Sequence, residues 1–71
     1  MEETVVRIDT EFIRLDALLK LAGLVQTGGE AKLRIQGGEV LVDGEICTQR
    51  GRKMRPGSTA ELDGRLLRVA E

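Results

Sequence analysis

The densest chemistry in this chain is cationic: Arg50, Arg52, Lys53 and Arg55 fall within the run Arg50-Gly51-Arg52-Lys53-Met54-Arg55. The wider stretch ICTQRGRKMRPGSTA, residues 46–60, holds no acid at all. Like charges this close repel one another unless a polyanion or nearby carboxylates relieve them. Arginine grips phosphate bidentately and lysine acts as a point charge, while Gly51 lets the backbone come close to a ligand. The plain alternative is a solvated loop whose charge only keeps the chain soluble. A second group of candidates lies in TGGEAKLRIQGGEVLVDG, residues 27–44. Thr27 and Glu30 have the spacing of a capping box, with the hydroxyl taking a helix-end amide and the carboxylate reaching back to the Thr27 amide. Gly28 and Gly29 then occupy the first helical positions, where bare amides admit a phosphate; close packing against a neighbouring helix is the competing reason for them. Lys32 and Gln36, four apart, share one helix face, which is either a binding face or simply the wet side. Arg14 either meets phosphate or pairs with a local carboxylate such as Asp9. Arg34 and Lys20 stand outside this set, the first on another side of its helix and the second already complementing a helix C-terminus.

The remaining composition removes whole classes of chemistry. The chain has no His and one Cys in 71 residues. The commonest general base and metal ligand is therefore missing, and Cys47 can form neither an internal disulfide nor a thiolate cluster. Cys47 reads as a small core residue. So short a chain has little room for a pocket of several hundred Å³, and no catalytic site, metal or cofactor is expected. Net charge is −1, from 11 basic and 12 acidic residues. The sum argues against a polyanion binder, but a local field can steer a phosphate backbone when the sum is near zero. The first eleven residues hold Glu2, Glu3, Asp9 and Glu11 against Arg7 alone. No apolar run approaches the roughly 20 residues of a membrane span, and Met1-Glu2-Glu3 has the wrong charge for a secretion signal. Cytoplasm is the expected location.

The elements that must position these residues can be read in order. Thr4–Ile8 is β-prone and fits an edge strand. Asp9 or Thr10 is the expected cap of a first helix over Glu11–Ala22, with Phe12, Leu15, Leu19 and Ala22 as its apolar stripe and Ile13 and Leu18 widening it. Gly23 stops that helix, and Leu24-Val25-Gln26 is an apolar connector. The second helix buries Ala31 and Ile35, with Leu33 at the margin, and ends at Gly37-Gly38. Glu39–Val42 and Glu45–Thr48 are strands joined by Asp43-Gly44, a type I′ turn. Gln49–Arg55 is the basic loop, Arg55-Pro56-Gly57-Ser58 fits a type II turn, and Thr59–Leu62 and Leu66–Val69 flank a second Asp63-Gly64 hairpin. The expected architecture is α+β: two helices on a small, mostly antiparallel sheet in the order β-α-α-β-β-β-β, with residues 1–71 as one domain.

The ordered set Arg14-Leu15-Asp16, Gly23-Leu24, Thr27-x-x-Glu30-Ala31-Lys32 and Ile35-x-x-Gly38-x-Val40-x-Val42-Asp43-Gly44 resembles the S4-type RNA-binding domain. Arg55-Pro56-Gly57-Ser58 is similar to that family's R-x-G-D turn, with Ser in place of the usual Asp. The likeness spans about Glu11 to Leu62 and looks like the free-standing bacterial type, whose second helix often opens T-G-G-x-A-K. It implies a face of the helix pair and adjoining hairpin that holds RNA backbone, with Arg14, Lys32 and Gln36 on it. Many members carry Arg at the position of Gly28, and its absence shifts the expected affinity toward Arg50, Arg52, Lys53 and Arg55. The functional expectation is a module for structured RNA, ribosomal RNA first, read by shape and charge because aromatic stacking platforms are lacking. Contact with the ribosome or a ribosomal protein goes with it. A protein-interaction adaptor with weakened RNA binding is the rival, and DNA binding a third possibility.

Overall fold

The computed structural model describes residues 2–71. Its elements are β1 (Glu2–Arg7), β2 (Ile13–Arg14), α1 (Leu15–Leu21), α2 (Gly28–Gln36), β3 (Leu41–Val42), β4 (Glu45–Ile46), β5 (Lys53–Met54), β6 (Thr59–Leu62) and β7 (Arg65–Ala70). The main sheet runs β1-β7-β6-β3-β4, and β2 pairs separately with β5. Among the described residues only β1–β7 pairs parallel; the other pairs are antiparallel. This is the expected α+β arrangement of two helices and a mostly antiparallel sheet, with β1 at an edge and two short strands, β2 and β5, added to the expected order.

Both helices end as their glycines require. In α1, Gly23 at φ +77° is the left-handed residue, and Leu24 N–H reaches Leu19 C=O at 3.0 Å while Gly23 N–H reaches Lys20 C=O at 3.1 Å. In α2, Gly38 takes the same role at φ +77°, with Glu39 N–H on Arg34 C=O and Gly38 N–H on Ile35 C=O. Each pair of bonds is a Schellman motif, which satisfies carbonyls that a helix end leaves without partners. Both Asp-Gly hairpins have the positive φ pair of a type I′ turn: Asp43 and Gly44 at 50° and 85°, Asp63 and Gly64 at 53° and 76°. The Arg55–Ser58 turn closes through Ser58 N–H to Arg55 C=O at 2.9 Å, with Gly57 at φ +98°.

The start of α1 departs from expectation. Glu11 and Phe12 are not helical, Ile13–Arg14 is a strand, and α1 covers Leu15–Leu21 instead of Glu11–Ala22. Neither Asp9 nor Thr10 caps it; the N-cap is Arg14, with no side-chain cap bond. The reason is a long-range substitute. Leu15 N–H donates to Arg52 C=O at 2.8 Å and Asp16 N–H to Arg50 C=O at 3.1 Å, so the basic loop's carbonyls satisfy amides that a capping side chain would otherwise serve. At α2 the capping box forms with a one-residue difference. Thr27 Oγ1 accepts from Glu30 N–H at 3.0 Å, but the Glu30 carboxylate accepts from Gln26 N–H at 2.8 Å rather than from Thr27.

Leu15, Leu18 and Leu19 of α1 and Ala31 and Ile35 of α2 join Val40, Val42, Leu62, Leu67 and Val69 in one buried cluster. Val25 of the connector, Cys47 and Met54 complete it. Phe12 and Ala22 are only half-buried. Leu33 is exposed, at 72%, and so lies outside the margin of the buried face expected for it. The strands β3 and β4 are shorter than Glu39–Val42 and Glu45–Thr48, although Cys47 N–H still reaches Val40 C=O at 3.0 Å.

Candidate functional site

The basic loop is held at three places. Its residues 50 and 52 accept from the first amides of α1, Arg52 N–H closes a turn on Gln49 C=O at 3.1 Å, and β5 pairs with β2 so that Lys53 lies opposite Arg14 and Met54 opposite Ile13. Met54 is fully buried; it anchors the segment while the cations on either side stay exposed. A solvated loop needs none of these restraints.

The charges divide among three places. Arg14, Lys20, Arg50 and Gly28 line one open groove of about 360 Å³, together with Asp16 and Ala17. This groove lies where the start of α1, the start of α2 and the basic loop meet. The Arg14 guanidinium pairs with Asp16 at 3.2 Å, its own side chain 53% exposed. The local partner is thus Asp16 rather than Asp9. A Cβ at position 51 would only make ordinary van der Waals contact with the Arg14 guanidinium, at 3.6 Å. Arg52 points elsewhere, into a groove of about 380 Å³ lined by Asp43, Glu45, Ile46 and Gln49. Lys53 and Arg55 flank Phe12, with Nζ 4.9 Å and the guanidinium carbon 5.9 Å from the ring centroid. Both distances are within cation–π reach.

Ion pairing separates structural from available cations. Arg34 bonds Asp63 at 2.6 Å and Glu39 at 2.8 Å; these hydrogen bonds, Asp63 first, raise its pKa above the ordinary arginine value. Arg68 meets Glu3 at 3.4 Å. Among the described residues, Lys20, Lys32, Arg50, Arg52, Lys53 and Arg55 make no ion pair. Arg34 therefore belongs to the scaffold. Lys20, expected outside the candidate set, joins the groove: it stands one turn after Asp16, and its side chain leans back toward the helix start. Lys32 and Gln36 are exposed on α2, but neither lines the groove. A Cβ at Gly28 would meet nothing within 4 Å, and one at Gly29 only Thr27 Oγ1 at 3.9 Å. Close packing does not explain either glycine.

A helix pair on a mixed sheet, with a backbone-fixed cationic loop closing over the first helix, defines a small module built around a positive rim. Residues 6–70 match the family model described as S4 domain, and the chain belongs to the S4-domain family. It is 46% identical over 59 residues to the "Probable ribosome maturation protein RlbA" of Bacillus subtilis, covering 83% of each chain. It is 37% identical over 57 residues to the "Putative RNA-binding protein YbcJ" of Escherichia coli, covering 80% of this chain and 81% of that one. The solution structure of E. coli YbcJ, described as revealing an alfaL motif involved in RNA-binding, superposes with a TM-score of 0.70 at 31% identity. That match covers 100% of this chain and 89% of YbcJ.

Proposed function

We propose that this protein is an RNA-binding module that recognises folded RNA through backbone charge and shape, acting on ribosomal RNA during ribosome maturation. The observation that carries the reading is the basic loop. Arg50, Arg52, Lys53 and Arg55 are exposed and make no ion pair among the described residues, yet the carbonyls of Arg50 and Arg52 are bonded to the first amides of α1 and Lys53 is paired with β2. Exposed cations fixed in place and left out of ion pairs suit a partner that brings its own negative charge. Membership of the S4-domain family supports the same class of ligand, and the name of the B. subtilis relative supports the ribosomal setting.

The roles divide by position. Arg14, Lys20 and Arg50 take phosphates along the groove, with the Gly28 and Gly29 amides as a further phosphate seat at the start of α2. Lys53 and Arg55, steered by Phe12, extend the rim, and Lys32 and Gln36 meet a second stretch of backbone. Arg52, beside Asp43 and Glu45, contributes least. The single half-buried Phe12 offers no row of aromatic faces, which favours helical RNA over single strands. Binding, not catalysis, is the activity.

Purified protein should bind an RNA hairpin at least tenfold more tightly than a single-stranded RNA or a DNA duplex of equal length. Equal affinity for all three contradicts shape recognition. In cells, crosslinking followed by sequencing should recover ribosomal RNA. A protein partner that stays bound after nuclease treatment, with no RNA recovered, contradicts the reading.

A further inference from the structure

The free edge of β1 carries a self-complementary pattern. β1 is the outermost strand of the main sheet and pairs with β7 through its even-numbered residues, as the bond from Ile8 N–H to Ala70 C=O at 2.8 Å fixes. Backbone groups alternate in direction along a strand. The N–H and C=O groups of Glu3, Val5 and Arg7 therefore point away from β7, toward the open edge. The side chains of the same residues share the exposed face, opposite buried Val6, and Val5 is 50% exposed. Proteins blunt long edges with charged side chains, Lys above all, with Pro, bulges or very short strands; β1 has charges, but they include the opposite pair Glu3 and Arg7 placed symmetrically about Val5. The opposite edge, β4, is only two residues long, whereas β1 has six and contains neither Lys nor Pro.

We infer that β1 pairs antiparallel with β1 of a second copy of this chain, about a two-fold axis at Val5, joining the two main sheets edge to edge. In this register Val5 faces Val5 of the other copy, and Glu3 of each copy, which meets Arg68 of its own sheet at 3.4 Å, also comes opposite Arg7 of the other, whose guanidinium bonds the Glu71 C=O of its own chain at 2.9 Å. Every outward N–H and C=O of these residues gains a partner, roughly six new backbone hydrogen bonds. A slip of two residues in pairing loses part of that set and sets Val5 against Glu3. Opposite charges facing each other across strands favour pairing, and like charges oppose it. A strand edge of this length buries less than the roughly 1,200 Å² of a standard stable interface, so the dimer is weak and exchanges with monomer.

Sedimentation equilibrium of the intact protein from micromolar to millimolar concentration should show the mass rising toward that of a dimer. Glu3→Arg should weaken association about tenfold by placing like charges opposite each other at two symmetric positions. The double variant Glu3→Arg/Arg7→Glu should restore it. Under mild oxidation Val5→Cys should cross-link to itself, because directly opposed residues stand about 5.5 Å apart at Cα, within disulfide reach. Thr4→Cys, which faces Val6 in this register, should not. A protein that stays monomeric to millimolar concentration overturns the inference. So does association indifferent to Glu3→Arg, or equal cross-linking by the two cysteine variants.

Discussion

Arg34 sits half-buried between Asp63 and Glu39, whereas Arg50 stands exposed beside Lys20 without an ion-pair partner among the described residues. The same side chain thus serves the scaffold at one position and the rim at the other. Arg34→Ala should lower Tm while leaving RNA affinity unchanged within twofold, as thermal melts and a hairpin titration would show. The raised pKa of Arg34 carries a sign. A cation stabilised in the folded state contributes fully below its unfolded pKa and loses that contribution only as pH rises through the folded value. No pH dependence from this group is expected near neutrality. In the basic loop, Arg50→Ala should weaken RNA binding several-fold more than Arg52→Ala, because Arg52 lines a separate groove that also holds Asp43 and Glu45. Equal effects would mean that the loop acts as undifferentiated charge. The sequence shows four cations in a row of six but not this division, which arises where the loop turns on Gln49 and is bonded to the first amides of α1 through the Arg50 and Arg52 carbonyls.

At the scale of elements, the pieces with local causes were legible. Gly23 and Gly38 set the helix ends, Thr27 set the start of α2, and the Asp-Gly pairs set both hairpins, since each of these acts within a few residues. The start of α1 was not legible. Its amides are satisfied by carbonyls more than thirty residues later in the chain, and Ile13–Arg14 and Lys53–Met54 are too short to announce themselves as strands. The same non-local tie hid Lys20 from the candidate site and delivers the basic loop to it. Two substitutions test the start of α2. Thr27→Ala should cost about 1 kcal/mol of stability through the lost cap, measured by denaturant titration. Gly28→Arg has open space for its side chain and adds the cation that many S4 domains carry there. It should fold normally, tighten hairpin binding and steepen its salt dependence by about one phosphate. Unchanged affinity would remove the start of α2 from the interface.

For the whole molecule, a net charge of −1 and an RNA-directed surface are compatible because the charges are sorted. Some acids are tied up on scaffold arginines, Glu39 and Asp63 on Arg34 and Glu3 on Arg68, while Lys20, Arg50, Lys53 and Arg55 gather around the start of α1. The long-range field is then weak, and affinity depends on direct phosphate contacts, whose release of counterions makes binding fall with salt. The most direct test is the salt dependence of hairpin binding for the wild type and for Lys20→Ala/Arg50→Ala. With about four to six phosphates contacted, wild-type affinity should fall roughly a hundredfold or more between about 50 and 200 mM salt. The double variant should bind more weakly at low salt, with a log–log slope shallower by about two. A flat wild-type dependence, or a variant that follows the wild-type line, would contradict a positive rim at the start of α1 as the RNA-binding surface.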